Sequence, residues 1–191
     1  MAIAVVLVLL WAGGGPILDG LRYERTAIAA GEFWRVLSGS LVHASGQHLL
    51  LNLAGLALVS LLFPGEYSRR EWLLIGLASS IAIAAGLWWG NPEVEWYVGL
   101  SGVLHGILAA GAIAWWQSRL RSLAILLAAI LVAKLAGEQW FGAIGWSGDL
   151  NVIVDAHLYG TVGGAAAGAI LSGLRKPALA VGVPPGPSGP V

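Results

Sequence analysis

The sequence predicts an all-α membrane protein, a bundle of six transmembrane helices with a first loop lying in the membrane interface. Three observations carry that prediction. Hydrophobic residues make up 58% of the 191-residue chain and charged residues only 10%, against about a quarter charged in soluble domains. Mean hydropathy is +0.80. Apolar runs approaching the ~20 residues needed to cross a ~30 Å hydrocarbon core recur along the chain, separated by short charged or Gly/Pro-rich breaks. The same numbers exclude other classes. The 28 Gly and 8 Pro are spread through apolar runs rather than polar low complexity, which excludes a disordered polymer. The absence of cysteine removes disulfides, thiolate metal sites and thiol nucleophiles. Ten basic against ten acidic residues leave no basic face for nucleic acid.

The first run, residues 1–12, ends at Gly13-Gly14-Gly15-Pro16. It resembles a signal-peptide core, but with no charged n-region and no Ala-x-Ala cleavage pattern directly after it, it reads as a retained span. A long first loop follows, residues 13–47, in which Phe33-Trp34-Arg35-Val36-Leu37 is amphipathic and suited to the interface. The remaining spans are read at residues 48–63, 72–89, 101–116, 122–138 and 151–174. These runs form one membrane domain over residues 1–176. The tail at 177–191, ending Val-Pro-Pro-Gly-Pro-Ser-Gly-Pro-Val, is expected to be disordered. Arg69, Arg70, Arg119, Arg121, Arg175 and Lys176 follow the second, fourth and sixth spans, whereas the opposite side holds only Arg22, Arg25 and Arg35, all in the first loop. The positive-inside bias therefore predicts both termini in the cytoplasm.

Ionisable groups inside a bilayer are costly and face the bundle interior or a wet cavity, so each is a functional candidate. They are His43 and His48 near the second span, His105 in the fourth, Lys134 and Glu138 in the fifth, and Asp155 and His157 in the sixth. Ser101 opens the fourth span within Gly99-Leu100-Ser101-Gly102. A serine hydroxyl needs a nearby base, and its attack creates an oxyanion that needs donors. Glycines on both sides permit tight backbone there, although a Gly/Ser helix start with Ser101 as cap is the plainer explanation of that string alone. The span from Ser101 is short: 16 residues rise only about 24 Å. With Trp115 and Trp116 at one interface, Ser101 lies below the opposite surface, at a depth where non-helical backbone must line protein or water.

Gly102, Gly106, Ala110 and Ala114 recur every four residues on the fourth span, as do Gly160, Gly164 and Gly168 on the sixth. Such stripes let helices approach closely. Because Ser101 and His157 adjoin the outer ends of the two stripes, contact between them would bring hydroxyl and imidazole together. His105, one turn below Ser101, competes for the role of base or orders the helices behind the site. His48 and Asn52 share a helix face and suit an oxyanion or an ordinary interhelical pair, with His43 in the loop before them. Lys134 and Glu138 read as a buried ion pair. Asp155 lies two residues before His157 on a nearly opposite face, which argues against a triad through it. No recognisable zinc-ligand spacing occurs, so neither metal nor cofactor is expected.

Three clusters in this order resemble the rhomboid family of intramembrane serine proteases: His43-x4-His48-x3-Asn52, Gly99-x-Ser101-Gly102 and Ala156-His157-x2-Gly160-x3-Gly164. The Trp34-Arg35 pair is similar to the family's first-loop element, so the resemblance covers about residues 32–174. It implies a six-helix bundle with a Ser–His dyad lacking an acid: Ser101 as nucleophile, His157 as base, and His48, Asn52 and the Ser101 N–H as oxyanion donors. His43 would support the loop. The string Ser101-Gly102-Val103-Leu104-His105-Gly106 with Lys134-x3-Glu138-Gln139 is similar to the rhombosortase subgroup. That likeness implies an enzyme of the bacterial inner membrane; the charge bias turns its site to the periplasm, and a monomer is expected. The substrates would be surface proteins with a C-terminal tail made of a Gly-Gly motif, a transmembrane helix and a basic cluster. The competing readings are a rhomboid protease of other transmembrane substrates, a non-catalytic relative that binds transmembrane helices, and a small transporter using Lys134, Glu138 and Asp155.

Overall fold

Helices carry nearly all of the structure, a computed structural model that describes residues 2–142 and 153–174. The chain begins with α1 (Ala2–Ala12) and α2 (Gly14–Leu21), bent by 112° at the glycines that end the first apolar run. Gly14 has φ +68, a conformation that favours glycine, and the turn of the chain is made there. The first loop is built rather than loose. It holds the strand β1 (Tyr23–Glu24), the short helices α3 (Arg25–Ala29) and α4 (Arg35–Ser38), and a 3-10 turn at Gly39–Leu41. Then come α5 (Gly46–Leu62), α6 (Arg69–Gly90), β2 (Trp96–Tyr97), α7 (Ser101–Gln117), α8 (Arg121–Phe141) and α9 (Asp155–Leu174). Five of these match the predicted spans to within a few residues. The predicted start of the sixth span at 151–152, the basic pair Arg175 and Lys176, and the tail at 177–191 lie outside the described residues.

On length and composition, α6 and α8 are each apolar enough to cross a membrane, and the count rises to four if the bent pairs Ala2–Ala12 with Gly14–Leu21 and Arg35–Leu41 with Gly46–Leu62 are single spans. The two helices that fall short have physical reasons to do so. α7 has 17 residues, about 25 Å of rise, and α9 carries Asp155, His157 and five glycines. They are the inner helices. Eleven of the 17 residues of α7 are buried, and it packs against α5, α6, α8 and above all α9. The outward faces of α6 and α8 instead expose Leu73, Leu74, Ile81, Ile125, Leu126, Ile130 and Val132, as a lipid-facing surface would.

The α7–α9 seam is made by the two small-residue stripes. A Cβ on Gly160 would strike the carbonyl of Gly102, one on Gly164 the backbone of Gly106, and one on Gly168 would fall 2.8 Å from the Ala110 Cβ. The helices are therefore in backbone contact along their length, which β-carbons would prevent. Tyr67 ties the far end of the seam, its hydroxyl 3.1 Å from the Ala110 carbonyl and 3.0 Å from Ser172 Oγ.

Basic residues of the first loop join it to the bundle. Arg25 donates to the carbonyls of Leu87, Trp88 and Asn91 at 2.6, 3.0 and 3.0 Å, capping the end of α6, and lies over the Trp88 ring. Arg35, buried, donates to Glu32 and to the carbonyls of Asp19 and Arg22, while Trp34 donates to the Gly20 carbonyl. The Trp-Arg pair thus knots the loop onto itself, satisfying carbonyls that short helices leave open.

Candidate active site

The loop before α7 is shaped by two contacts from the first loop. β1 pairs antiparallel with β2, Tyr23 opposite Tyr97, and the Gly99 N–H donates to the Gly39 carbonyl at 3.0 Å. Gly99 has φ +118, and a Cβ on it would fall 2.5 Å from His48 Cε1. Glycine is thus required twice at this point, for the turn and for the imidazole packed on it. Tyr97, buried, donates its hydroxyl to the Gly99 carbonyl at 2.7 Å. Burial pushes the Tyr97 hydroxyl well up from its ordinary value, more than the Gly102 N–H and Ser101 hydroxyl beside it pull it down. It stays a neutral donor.

Ser101 is the first residue of α7, so its N–H and those of the next two residues precede the first intrahelical bond, Leu104 N–H to the Leu100 carbonyl at 3.0 Å. The helix dipole places partial positive charge at that end. From α9, His157 Nε2 lies 3.0 Å from Ser101 Oγ, with the imidazole only 5% exposed. The contact follows from the seam: Gly102 and Gly160 let the helices close just beneath both side chains.

A third group belongs to this cluster. Glu138, at the end of α8 and 3% exposed, accepts from His157 Nδ1 at 2.8 Å through Oε2, while its Oε1 pairs with Lys134. The ion pair expected from the Lys134/Glu138 spacing is present. Its carboxylate also faces the imidazole, which the spacing does not reveal. Asp155 is elsewhere, accepting from Asn91 Nδ2 at 3.1 Å, and Asn91 also receives the Tyr159 hydroxyl at 2.8 Å.

His105 does not reach the Ser101 hydroxyl as a hydrogen-bond partner. Its Nδ1 lies 2.7 Å from the Ser101 carbonyl, and its ring stacks on His157 at 4.2 Å between centroids and 14° between planes. Because a carbonyl only accepts, Nδ1 carries the proton and Nε2 the lone pair. A cavity of about 480 Å³ opens over Ser101, lined also by His48, residues 93–98 and residues 153–155 leading into α9. Asn52, buried and one turn along α5 from His48, donates its amide to the His48 carbonyl at 3.0 Å. Neither it nor His43 lines the cavity. His43 packs edge-on against the His48 ring at 5.0 Å.

His105, Glu138 and His157 each offer a ligand atom within 4.8 Å of the others. The arrangement suits a metal poorly. An ion must lie near the plane of each imidazole it binds, and two nearly parallel stacked rings cannot both aim lone pairs at one point. The Lys134 ammonium on Glu138 adds like charge.

Taken together, these features define a multi-pass helical membrane protein whose buried polar groups gather at the open end of its central helix. The family model of the Rhomboid domain matches residues 30–174, and no match is found among curated proteins. The chain belongs to the rhomboid family, whose members are typically intramembrane serine proteases.

Proposed function

We propose that the protein is an intramembrane serine endopeptidase in which Ser101 is the nucleophile and His157 the general base. The observation that carries this reading is the 3.0 Å approach of His157 Nε2 to Ser101 Oγ at the floor of the cavity. Ser101 Oγ attacks the scissile carbonyl carbon and His157 takes its proton. The C–N bond then breaks, His157 returns the proton to the leaving amine, and a water hydrolyses the ester to regenerate Ser101. The Ser101 N–H at the helix start and His48, both of which line the cavity, serve as oxyanion donors, and Asn52, read from the sequence as a third donor, supports them through its amide bond to the His48 carbonyl.

The bilayer placement follows the same reading: six spans counting α7 and α9, both termini cytoplasmic, and the cavity open to the periplasm of a bacterial inner membrane. The substrates are transmembrane proteins bearing a C-terminal Gly-Gly tail. Glycines unwind a helix and leave an unshielded carbonyl, which a nucleophile recessed in a cavity requires. The experiment uses protein in proteoliposomes with a reporter ending in such a tail. Ser101→Ala and His157→Ala are each expected to abolish cleavage while fold and thermal unfolding are retained. Retained cleavage by Ser101→Ala overturns the assignment. Equal cleavage of a tail with its glycines replaced by leucine overturns the substrate class alone.

A further inference from the structure

We propose that Glu138 is a positioning residue that completes a Ser101–His157–Glu138 triad, holding His157 in the tautomer that accepts the serine proton. This inference rests on the reading of Ser101 as nucleophile. A carboxylate only accepts, so the 2.8 Å contact of Glu138 Oε2 with His157 Nδ1 requires the proton to sit on Nδ1. The lone pair is then on Nε2, the nitrogen that faces Ser101 Oγ. The opposite tautomer would set two lone pairs against each other at Glu138 and leave no base at Ser101.

The surroundings favour this role over that of a simple helix staple. Burying a carboxylate is costly unless its oxygens are satisfied, and both are: Oε1 by Lys134, which reaches in with a side chain 42% exposed, and Oε2 by His157. An i,i+4 ion pair on α8 accounts for Oε1 alone. Oε2 points off its own helix into the seam, at an imidazole from α9. His105 covers one face of the same ring and uses its own Nδ1 on the Ser101 carbonyl, so His157 is held by its edge and by its face. When His157 takes the serine proton it becomes a buried cation. The carboxylate then stabilises the state that the reaction passes through, and the acid-free dyad implied by the family resemblance would lack this.

The test compares Glu138→Gln, Glu138→Asp and Lys134→Met with the intact protein in proteoliposomes, reading kcat and KM separately. Removing the acid from a serine triad costs up to about 10⁴-fold in kcat. Glu138→Gln is expected to lower kcat at least ~100-fold with KM unchanged, since Glu138 does not touch substrate. Glu138→Asp, which keeps the charge, should recover at least tenfold of that loss. Lys134→Met should stay within about tenfold of the parent, because it leaves the His157 contact in place. Equal losses for Glu138→Gln and Lys134→Met would make the pair a structural staple and overturn the triad. Full kcat in Glu138→Gln, with Ser101→Ala inactive, would overturn it and leave the protease reading standing. Cleavage by Ser101→Ala would instead overturn the protease reading. Should the Glu138 variants fail to fold, ¹⁵N-histidine NMR of the intact protein decides: a protonated Nδ1 on His157 supports the triad, and a protonated Nε2 with bare Nδ1 overturns it.

Discussion

The two walls of the cavity are held in different ways. On one side, α7 and α9 meet backbone to backbone through Gly102, Gly106, Gly160 and Gly164, with no side chain between them to yield. Ser101 and His157 ride on this seam. On the other side, α5 brings His48 to the cavity but buries only Leu49, Asn52 and Val59, exposing Leu50, Leu51, Leu58 and Leu61. Its Asn52 amide bonds within its own helix, to the His48 carbonyl. The comparison separates two demands. On the proposed protease reading, the nucleophile and base must hold hydrogen-bond distance without substrate, which the close-packed seam provides. His48, the proposed oxyanion donor, stands on the more lightly packed wall.

The largest effect is expected from forcing the seam apart. Gly160→Val puts a branched side chain against the Gly102 carbonyl, where no rotamer relieves the collision because the Cβ itself collides. Overpacking of this kind costs about 3 kcal/mol at the upper end of its usual range. Cleavage and fluorophosphonate labelling of Ser101 should both fall below detection, with earlier thermal unfolding in micelles. The same change at Gly173, on the same helix with open space around it, should leave all three measurements near the parent. Normal labelling in Gly160→Val would show that the seam does not set the Ser101–His157 distance.

The lighter wall should respond in the opposite pattern. Loss of one oxyanion donor costs about 100-fold or more in kcat, so with His48 in the proposed role His48→Ala should lower turnover by that order. Its thermal unfolding should move less than that of Gly160→Val, because the partly buried ring lines the cavity and its loss leaves the α7–α9 contact in place. A fall in unfolding temperature as large as that of Gly160→Val would erase the distinction between the walls.

How much of this was legible in the sequence differs along the same line. The seam was open to sequence reading because four-residue repeats of small residues are periodic, and periodicity survives without coordinates. Both stripes, and the side chains beside them, are where the repeats of Gly102 and Gly160 imply. Glu138 was only half visible. Its spacing from Lys134 exposes the partner on its own helix, but the face that α8 turns to α9 is set by tertiary packing, which local spacing does not encode. Tyr97 carried still less signal. Its two-residue strand pairs with Tyr23, 74 positions earlier, and is too short for any alternation to mark. The count of spans rests on apolar run length, which α7 misses by its 17 residues and α9 by its glycines and polar groups.

The smallest effect is expected at His105, where the two walls give no guidance because the residue lies behind the seam. Its Nδ1 bonds the Ser101 carbonyl at 2.7 Å, whereas its Nε2, buried, has no hydrogen-bond partner among the described residues. Replacing it with leucine removes one bond, typically worth about 1 kcal/mol net, and also removes a buried unsatisfied nitrogen whose desolvation cost is of similar size. The two changes nearly cancel, so His105→Leu should unfold close to the parent. His157 loses the ring on its face but keeps Ser101 and Glu138 at its edge, which limits the fall in kcat to about tenfold. A kcat loss matching that of His157→Ala, with unfolding unchanged, would make His105 a proton carrier in its own right and move the base one turn deeper into α7.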